Sequence, residues 1–525
     1  MSNRRILMIG LDGFEPSLAE SWMQQGEMPN LARLYQNSAN FALDHGRAKY
    51  SGLAWEHVSS GLSPADSGRW SAVTFNTSDY SVRQDPTSMR PFFADITSPT
   101  VIFDTPYCDL SQAPNVMGMT NWGAHDPGVP TYSRPGNLQA ILRERFGPYP
   151  APEWIYGMAW PSVDKTKHMS DALVRAVDTR SQAAVWLLGE HLPDWQLAMV
   201  VVSECHSGIE ALWHGIDPEH PLHGIASAPV AARGMRRIYR AIDKLIGDLV
   251  NNFPDATIVA FGMHGMGANN ADIASMVLLP ELLYRNAFGK SYLRSRQWPV
   301  QLPDTTPLLD ETFSWNQAMR EAIPGPKTRK QRLLRLFPKF GQARQSASPP
   351  LDWMPAARYR SFWSHMPAFA LPSFYDGRIR INLRDRESHG KVSRSNYAAK
   401  CEELVELLQV CRDLQTDRPI IDTIVRGADD PMQLTATEAD LYITWQGAPL
   451  GLSHPVLGDI GPIPYRRTGG HTGPYGFLCT AGEGIRPTDR GITSSFNVVP
   501  TVLDLLGETI PQHISGQSLA TTLFN

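Results

Sequence analysis

The sequence has few cysteines, no long hydrophobic run and no strong excess of charge of either sign. Its 525 residues include five cysteines, scattered and without CxxC spacing, so we expect reduced thiols rather than disulfides. No apolar run approaches the ~20 residues that cross a bilayer, and no signal peptide precedes the first apolar segment, which predicts a soluble, cytoplasmic protein without a membrane partner. The formal net charge of -4 argues against general nucleic-acid binding.

What the chain does contain is a set of short apolar runs that end at polar residues. Hydrophobic residues make up 42% and charged residues 19% of the chain, as in an ordinary globular protein with a sizeable core. The runs 5–11, 197–202 and 257–261 read as buried strands, and Asp12, His206 and His264 follow them. Ligands of open α/β sheets bind at the carboxyl ends of strands. The pattern therefore predicts one doubly wound α/β domain over 1–525, with an insertion at about 270–375.

Two of the polar positions have a spacing that suits one metal ion. His206 and Glu210 are four residues apart, so a helix would project both from one face. The same spacing also occurs in surface pairs that bind nothing. Asp12 is open to two interpretations as well, either a metal or substrate ligand or the N-cap of the next helix.

Ser51 lies in a glycine-containing turn before a helical run, where a hydroxyl nucleophile can be presented. The alternative is that Ser51 only caps that helix. Glu56 and His57 are adjacent, so on a helix they would not both face one site. His264 and His471 each lie in a glycine-rich turn, Gly262–Gly267 and Thr468–Gly473. His264 has little to pack against in its turn, which favours a ligand over a core residue, and His471 is a further ligand candidate.

Together these segments resemble the alkaline phosphatase superfamily, in its branch of type I phosphodiesterases and nucleotide pyrophosphatases. The resemblance runs through most of the chain in order. It depends on 9–13, 54–55 with 60–64, 203–204 with Trp213, 264–267, 380–387, 470–471 and 497–507.

The resemblance implies an alkaline phosphatase-like fold, a mixed sheet sandwiched by helices, and a site for two divalent metal ions that hold a phosphate or sulfate group. Position by position, it makes Asp12 a metal ligand and Ser51 both the nucleophile and a ligand. His264 and His471 would be ligands too. Zinc or manganese would be the ions, with iron possible, and the partner would be a small anionic substrate.

Three positions depart from the family pattern. The family's Asp-x-x-x-His becomes His206 with Glu210, which keeps one imidazole and one carboxylate in swapped order. The aspartate before His264 becomes Met263, whose thioether is a poor ligand for such ions. The later His-Gly becomes Ser67-Gly68. His206, Glu210 and His471 thus form a complete ligand set for one metal ion. The site for the second metal ion loses a carboxylate, which Glu56 could replace.

Three functions are compatible with these residues. The first is a metal-dependent phosphoryl-transfer enzyme, a phosphodiesterase- or phosphatase-like hydrolase or a transferase, with Ser51 as its nucleophile. The second is a non-haem iron enzyme, because two histidines and one carboxylate also suit Fe(II). The third is a binding protein with a degraded catalytic site. Elsewhere, seven basic residues and no acidic ones lie between 322 and 344, which predicts a solvated helix face or an anion-binding segment.

Overall fold

A computed structural model describes residues 4–126, 128–158, 162–309, 314–325, 351 and 353–525. The chain divides into two compact units. The first comprises 1–68, 86–269 and 467–525, and the second comprises 69–85 and 270–466. All six residues predicted to form the site belong to the first unit.

The first unit is built on a nine-stranded mixed sheet. Its strands in chain order are β1 Arg5–Leu11, β2 Ala39–Asp44, β3 Thr100–Phe103, β4 Val116–Thr120, β5 Tyr132–Arg134, β6 Leu197–Val202, β7 Ala256–Gly262, β8 Gly476–Ala481 and β9 Thr488–Ser494. They lie side by side in the order β9-β2-β8-β7-β1-β6-β3-β4-β5. β1 is paired in parallel with both β6 and β7, so the carboxyl ends of these three strands meet at one edge.

The central strand β1 is apolar at almost every position because both faces of the sheet are covered. Successive side chains of a strand point to opposite faces. Leu7, Ile9 and Leu11 belong to one hydrophobic core, and Ile6 and Met8 belong to the other. Strands buried on both faces have continuous apolar sequences, which is why β1 and β6 could be predicted from the sequence.

Helices cover the two faces of this sheet. Their bounds are Pro16–Gln24, Pro29–Gln36, Ala54–Ser60, Pro64–Ser67, Leu138–Phe146, Val163–Trp186, Glu204–Ile216, Ala228–Asn252, Val498–Leu506 and Ala520–Phe524. The predicted mixed α/β sheet sandwiched by helices is confirmed.

The second unit contains a four-stranded antiparallel sheet with the strands Ala368–Ala370, Gly377–Ile381, Leu441–Trp445 and Ile421–Arg426 in that spatial order. It also contains the hairpin Val73–Phe75 with Val82–Gln84. Its helices are Leu279–Phe288, Trp315–Ala322, Arg360–Trp363 and Tyr397–Gln409.

Several expectations about the chain are not tested by this architecture. The insertion at 270–375 stays a prediction, and part of it lies outside the described residues. Most of the basic stretch 322–344 also lies outside them. Within the described ranges, no helix combines the length and the apolar character that spanning a membrane requires. The cytoplasmic location stays a prediction.

Candidate functional site

The ends of β1 and β6 bring the first site residues together. Asp12 directly follows β1, and its backbone N–H donates to the Val202 carbonyl at the end of β6 (2.9 Å). Gly13 follows with a φ of 62°. A Cβ on Gly13 would lie 2.5 Å from the His206 Cα, so only glycine allows this close approach of the β1 turn to the helix Glu204–Ile216.

A short ladder brings in the other two histidine turns. Gly267–Ala268, just after His264, pairs antiparallel with Gly469–Gly470, just before His471. The neighbouring Thr468 backbone N–H donates to the Glu210 carbonyl (2.7 Å). The segment that carries His471 is therefore anchored both to the β7 turn and to the helix that carries Glu210.

His206 lies at the centre of the resulting cluster. Its Nδ1 is 3.1 Å from Asp12 Oδ1, and its Nε2 is 3.7 Å from Glu210 Oε1. The same Nε2 is 3.2 Å from His471 Nε2. The His471 and His264 rings have centroids 4.3 Å apart. Five of the six predicted residues thus form one contiguous buried group.

Sequence reasoning missed His125, which completes this group. Its ring stacks on that of His206 with 3.8 Å between centroids, and its Nε2 is 3.8 Å from Glu210 Oε1. In the part of the chain that the structure describes, His125, His206 and Glu210 are the one group of three whose ligand atoms all lie within 4.8 Å of one another. The sequence did contain a signal for His125, the apolar run 116–120. This run forms β4, which is parallel to β3, so the loop after β4 lies at the same edge of the sheet as Asp12 and His206.

Buried polar contacts hold the loop that carries His125. Asp104, which follows β3, accepts hydrogen bonds from the backbone N–H groups of Trp122 (2.6 Å) and Gly123 (2.9 Å). Arg180 joins Asp104 (2.7 Å) to Glu204 (2.9 Å), and all three side chains are fully buried. Because Glu204 begins the helix of His206 and Glu210, this ion-pair network connects the two segments that form the group of three.

His125, His206, His264 and His471 all have the same ring nitrogen, Nδ1, next to an oxygen acceptor. In each ring an oxygen acceptor lies beside Nδ1. The acceptors are the Ile155 carbonyl for His125, the Asp12 carboxylate for His206, the Gly265 carbonyl for His264 and the Lys49 carbonyl for His471. A proton on Nδ1 satisfies each contact, which leaves Nε2 as an unprotonated donor atom. This arrangement, with an oxygen behind each imidazole, is typical of metal-ligating histidines.

The spacing and protonation of these groups fit a divalent cation. An ion with bonds of about 2.0–2.2 Å in tetrahedral geometry separates its ligand atoms by about 3.3–3.6 Å, and the separations here are 3.2, 3.7 and 3.8 Å. Burial lowers the pKa of His125 and His471 well below the ordinary value, and it lowers that of His264 to about 4. Burial, the largest single cause, would raise the pKa of Asp12, but His206, His125 and Trp55 together outweigh it and the net shift is downward.

Both carboxylate oxygens of Glu210 accept hydrogen bonds that fix its side chain. Its Oε2 accepts a hydrogen bond from the Gly157 backbone N–H (3.0 Å), and its Oε1 accepts one from Arg467 Nη1. A Cβ on Gly157 would lie 2.6 Å from the Glu210 Cβ, so this position too requires glycine. Burial lowers the pKa of Arg467 to about 9, which leaves the guanidinium charged at neutral pH.

Ser51 is placed differently from the cluster residues. It ends the 3₁₀ helix Gly46–Ser51, and its hydroxyl donates to the Ala48 carbonyl (2.7 Å) and accepts from the Leu53 N–H (3.0 Å). It does not cap the following helix, whose N-cap is Leu53. One connection between this turn and the cluster is the Lys49 carbonyl, 3.4 Å from His471 Nδ1.

Met263 and Ser67, which depart from the family pattern, are a core residue and the last residue of a short helix. Met263 is 5% exposed and belongs to the hydrophobic core on one face of the sheet. Ser67 ends the short helix Pro64–Ser67. The structure thus has a buried apolar side chain at the position where the resemblance implies a carboxylate.

Two further buried histidines lie beyond His264. His45 has its ring centroid 6.2 Å from that of His264, and its Nε2 is 3.1 Å from His57 Nδ1. The other nitrogen of His45 lies 2.6 Å from the Ser495 hydroxyl. Both nitrogens of His45 therefore have neighbours that are not carboxylates.

Comparison with protein families finds one match, to the model described as type I phosphodiesterase/nucleotide pyrophosphatase, over residues 6–334. No curated protein matches the sequence.

Solved structures give similarity at the level of the fold. Phosphonoacetate hydrolase from Sinorhizobium meliloti 1021, in complex with phosphonoformate, has a TM-score of 0.50 and 13% identity, and the match covers 95% of each chain. Human ectonucleotide pyrophosphatase/phosphodiesterase 5 has a TM-score of 0.41 and 11% identity over 99% of each chain.

Proposed function

Because the chain belongs to the type I phosphodiesterase/nucleotide pyrophosphatase family, we propose that it is a metal-dependent phosphoric ester hydrolase. The observation that carries the proposal is the common orientation of His125, His206, His264 and His471. Each has an oxygen acceptor at Nδ1, and two of the Nε2 atoms are 3.2 Å apart. Two nitrogen lone pairs this close repel each other unless a proton or a cation lies between them.

We assign the ion to His206 and Glu210, as the i, i+4 spacing predicted, together with His125 and His471. Asp12 has two roles open to it, as a further ligand or as the carboxylate that fixes the His206 ring through Nδ1. His264 extends the set on the other side of His471. Zinc or manganese matches these nitrogen and oxygen donors. When bound, the ion would neutralise charge on the phosphoryl oxygens and lower the pKa of a neighbouring hydroxyl.

The residue assigned to the covalent chemistry is Ser51. Its Oγ attacks phosphorus, so a bond from Oγ to phosphorus forms as the bond to the departing alcohol oxygen breaks. The hydroxyl proton of Ser51 is lost to solvent, and the alcohol leaves with a proton. Water then attacks the phosphoserine, which restores the hydroxyl and releases the phosphate product. To act in this way, the Ser51 hydroxyl has to give up its bond to the Ala48 carbonyl.

Metal analysis of the purified protein tests this proposal directly. We expect at least one zinc or manganese ion per chain and a divalent-metal-dependent release of 4-nitrophenol from its phosphate esters. His206→Ala and Glu210→Ala should both remove the ion, since each deletes a ligand, whereas Glu190→Ala, on an exposed glutamate, should not. Unchanged metal content in both ligand variants contradicts the assignment.

A second function is favoured by the make-up of the group of three. His125, His206 and Glu210 supply two histidines and one carboxylate, the set that non-haem iron oxygenases use with open positions on the ion. Bound iron and oxygen consumption without ester hydrolysis would support this alternative.

A third function, binding without catalysis, is motivated by Met263. If the loss of that carboxylate abolished catalysis, the protein would bind phosphate esters without turnover in the presence of any divalent metal.

A further inference from the structure

A cavity of about 450 Å³ in the first unit contains none of the residues of the histidine cluster. It is lined by residues of β2, β8 and β9 and of the first two helices, Pro16–Gln24 and Pro29–Gln36. Its walls are mostly apolar and include Phe14, Ala19, Met23, Leu31, Phe41 and Phe477. Protein cavities that bind one small organic molecule are commonly apolar and have volumes of about 300–1,000 Å³. This cavity therefore has the size and the walls of a ligand site.

The charged residues that line this cavity are acidic. They are Glu15, Glu20 and Asp489, and no lysine or arginine is among its described lining residues. The Glu15 carboxylate accepts hydrogen bonds from the backbone N–H groups of Ser17 (3.1 Å) and Met266 (2.6 Å). Both donors are neutral, so neither balances the charge of a carboxylate. The cavity therefore attracts a cationic ligand and repels an anionic one.

Two of these carboxylates lie near one phenol at the mouth of the cavity. Tyr35 is 37% exposed, and burial is the largest cause of its raised pKa. Electrostatic interactions with Asp489, Cys479 and Glu20 raise this pKa further. The Tyr475 ring, 39% exposed, also lines the cavity. Aromatic faces attract cations, so the tyrosines and the carboxylates favour the same kind of ligand.

Asn40 contributes a buried acceptor to the same end of the cavity. The residue is 6% exposed, and its Nδ2 donates to the carbonyls of Tyr35 (2.8 Å) and Ser38 (3.2 Å). Within the part of the chain that the structure describes, no donor reaches Asn40 Oδ1. Because Nδ2 is in use, Oδ1 is the side-chain atom left for a donor from outside the protein. Asn40 lines the cavity and pairs with Asp489 across β2 and β9, so the acceptor and this carboxylate are neighbours.

We propose that this cavity binds a small organic cation that has an apolar carbon skeleton and an ammonium group with at least one N–H. The ammonium group lies beside Asp489 and Glu20 and donates to Asn40 Oδ1. The carbon skeleton contacts the phenylalanine rings of the walls. This ligand site is separate from the candidate metal cluster and does not depend on the proposed hydrolase function.

The test is calorimetry on full-length, zinc-loaded protein with four probes that share one apolar body. They are 4-phenylbutylamine, its trimethylammonium analogue, 4-phenylbutan-1-ol and 4-phenylbutanoate. The amine should bind at least about tenfold more tightly than the alcohol, and the carboxylate should bind most weakly, because acidic side chains line the cavity. The trimethylammonium compound keeps the charge but has no N–H. It should bind about tenfold more weakly than the amine.

Two pairs of substitutions separate the cavity from other acidic parts of the surface. Glu20→Gln combined with Asp489→Asn removes two charges at the cavity and should weaken amine binding about tenfold, with binding of the alcohol unchanged. The matched control combines Glu144→Gln with Glu190→Gln, two exposed positions that do not line the cavity. This control should bind the amine as the wild type does. Saturation with the amine should also leave the zinc content unchanged.

Four results would overturn the inference. The alcohol or the carboxylate could bind as tightly as the amine, which would remove the preference for a cation. The trimethylammonium compound could bind as tightly as the amine, which would remove the N–H donor to Asn40. Amine binding could be unchanged in the variant of Glu20 and Asp489, or the amine could release zinc, which would place the probe in the metal cluster. Hydrolysis enters none of these measurements, so failure of the proposed function would leave the cation site standing.

Discussion

The histidines at the carboxyl ends of the strands form two groups, which differ in the carboxylate side chains that lie beside them. His125, His206 and His471 lie with Asp12 and Glu210, at contact distances between 3.1 and 3.8 Å. His264 and His45 continue the row, but the position beside His264 is Met263, and both nitrogens of His45 face neighbours that are not carboxylates. Imidazoles without a negative partner bind divalent ions less strongly than a set with carboxylates. We therefore expect the first group to hold an ion and the second to lack one.

The largest effect is expected from Ser51→Ala. If both groups support one reaction at Ser51, loss of its hydroxyl should lower kcat by at least about 1000-fold, as for other catalytic nucleophiles. The metal content should stay at the wild-type level, because Ser51 contacts Ala48 and Leu53 rather than the first histidine group. Near-normal turnover would rule out the covalent mechanism and favour attack by water.

Met263→Asp should remove the difference between the two groups. The new carboxylate would lie next to His264 and restore the family's donor set, so the metal stoichiometry should rise by one ion per chain. In metal-free protein the same substitution buries a charge in an apolar core and should cost several kcal/mol of stability. Metal analysis and urea unfolding with and without zinc check both parts. A zinc stoichiometry that stays unchanged at saturating zinc would show that Met263 is not what keeps an ion from the second group. Met263→Leu is the control for packing.

Asp12→Asn should weaken the first group without abolishing it. The amide can still accept the hydrogen bond from His206 Nδ1 but carries no charge. Substitution of a carboxylate behind a metal-bound histidine costs about 10- to 100-fold in metal affinity, and a competition titration with a chelator measures it. An affinity loss far beyond this range would identify Asp12 as a direct ligand.

The smallest effect is expected from His45→Asn in the second group. Burial lowers the pKa of His45 well below its ordinary value, so the folded protein keeps this ring neutral while the unfolded chain protonates it near pH 6.5. This difference destabilises the fold as the pH falls below about 6.5, by about 1.4 kcal/mol per pH unit for one histidine.

His45→Asn should remove that share of the acid destabilisation and leave metal content unchanged. Unfolding of metal-free protein by urea at pH 7, 6 and 5 measures the slope. A variant that lost its metal would show that the second group takes part in binding.

Local pattern was sufficient for most of the sheet and its helices. The predicted runs 5–11 and 197–202 are strands with those bounds, and the predicted run 257–261 lies within β7. The apolar periodicity of 397–414 predicts one helix over that whole range, but the helix ends at Gln409. Arg412–Asp413 pairs with Leu452–Ser453 as a strand, a long-range contact that overrides the local helical pattern.

For the site, the sequence alone was enough to predict which residues follow the buried strands and that His206 and Glu210 share one helix face. These features depend on strand and helix periods, which short segments carry in their own side chains. The tertiary structure alone decided that His125 and Arg467 join them. Both lie in loops without a period, and their places depend on backbone contacts of Asp104 and Thr468 with residues distant in the chain. Contacts of this kind arise only once the sheet has formed, because loops take their conformation from the scaffold that holds their ends.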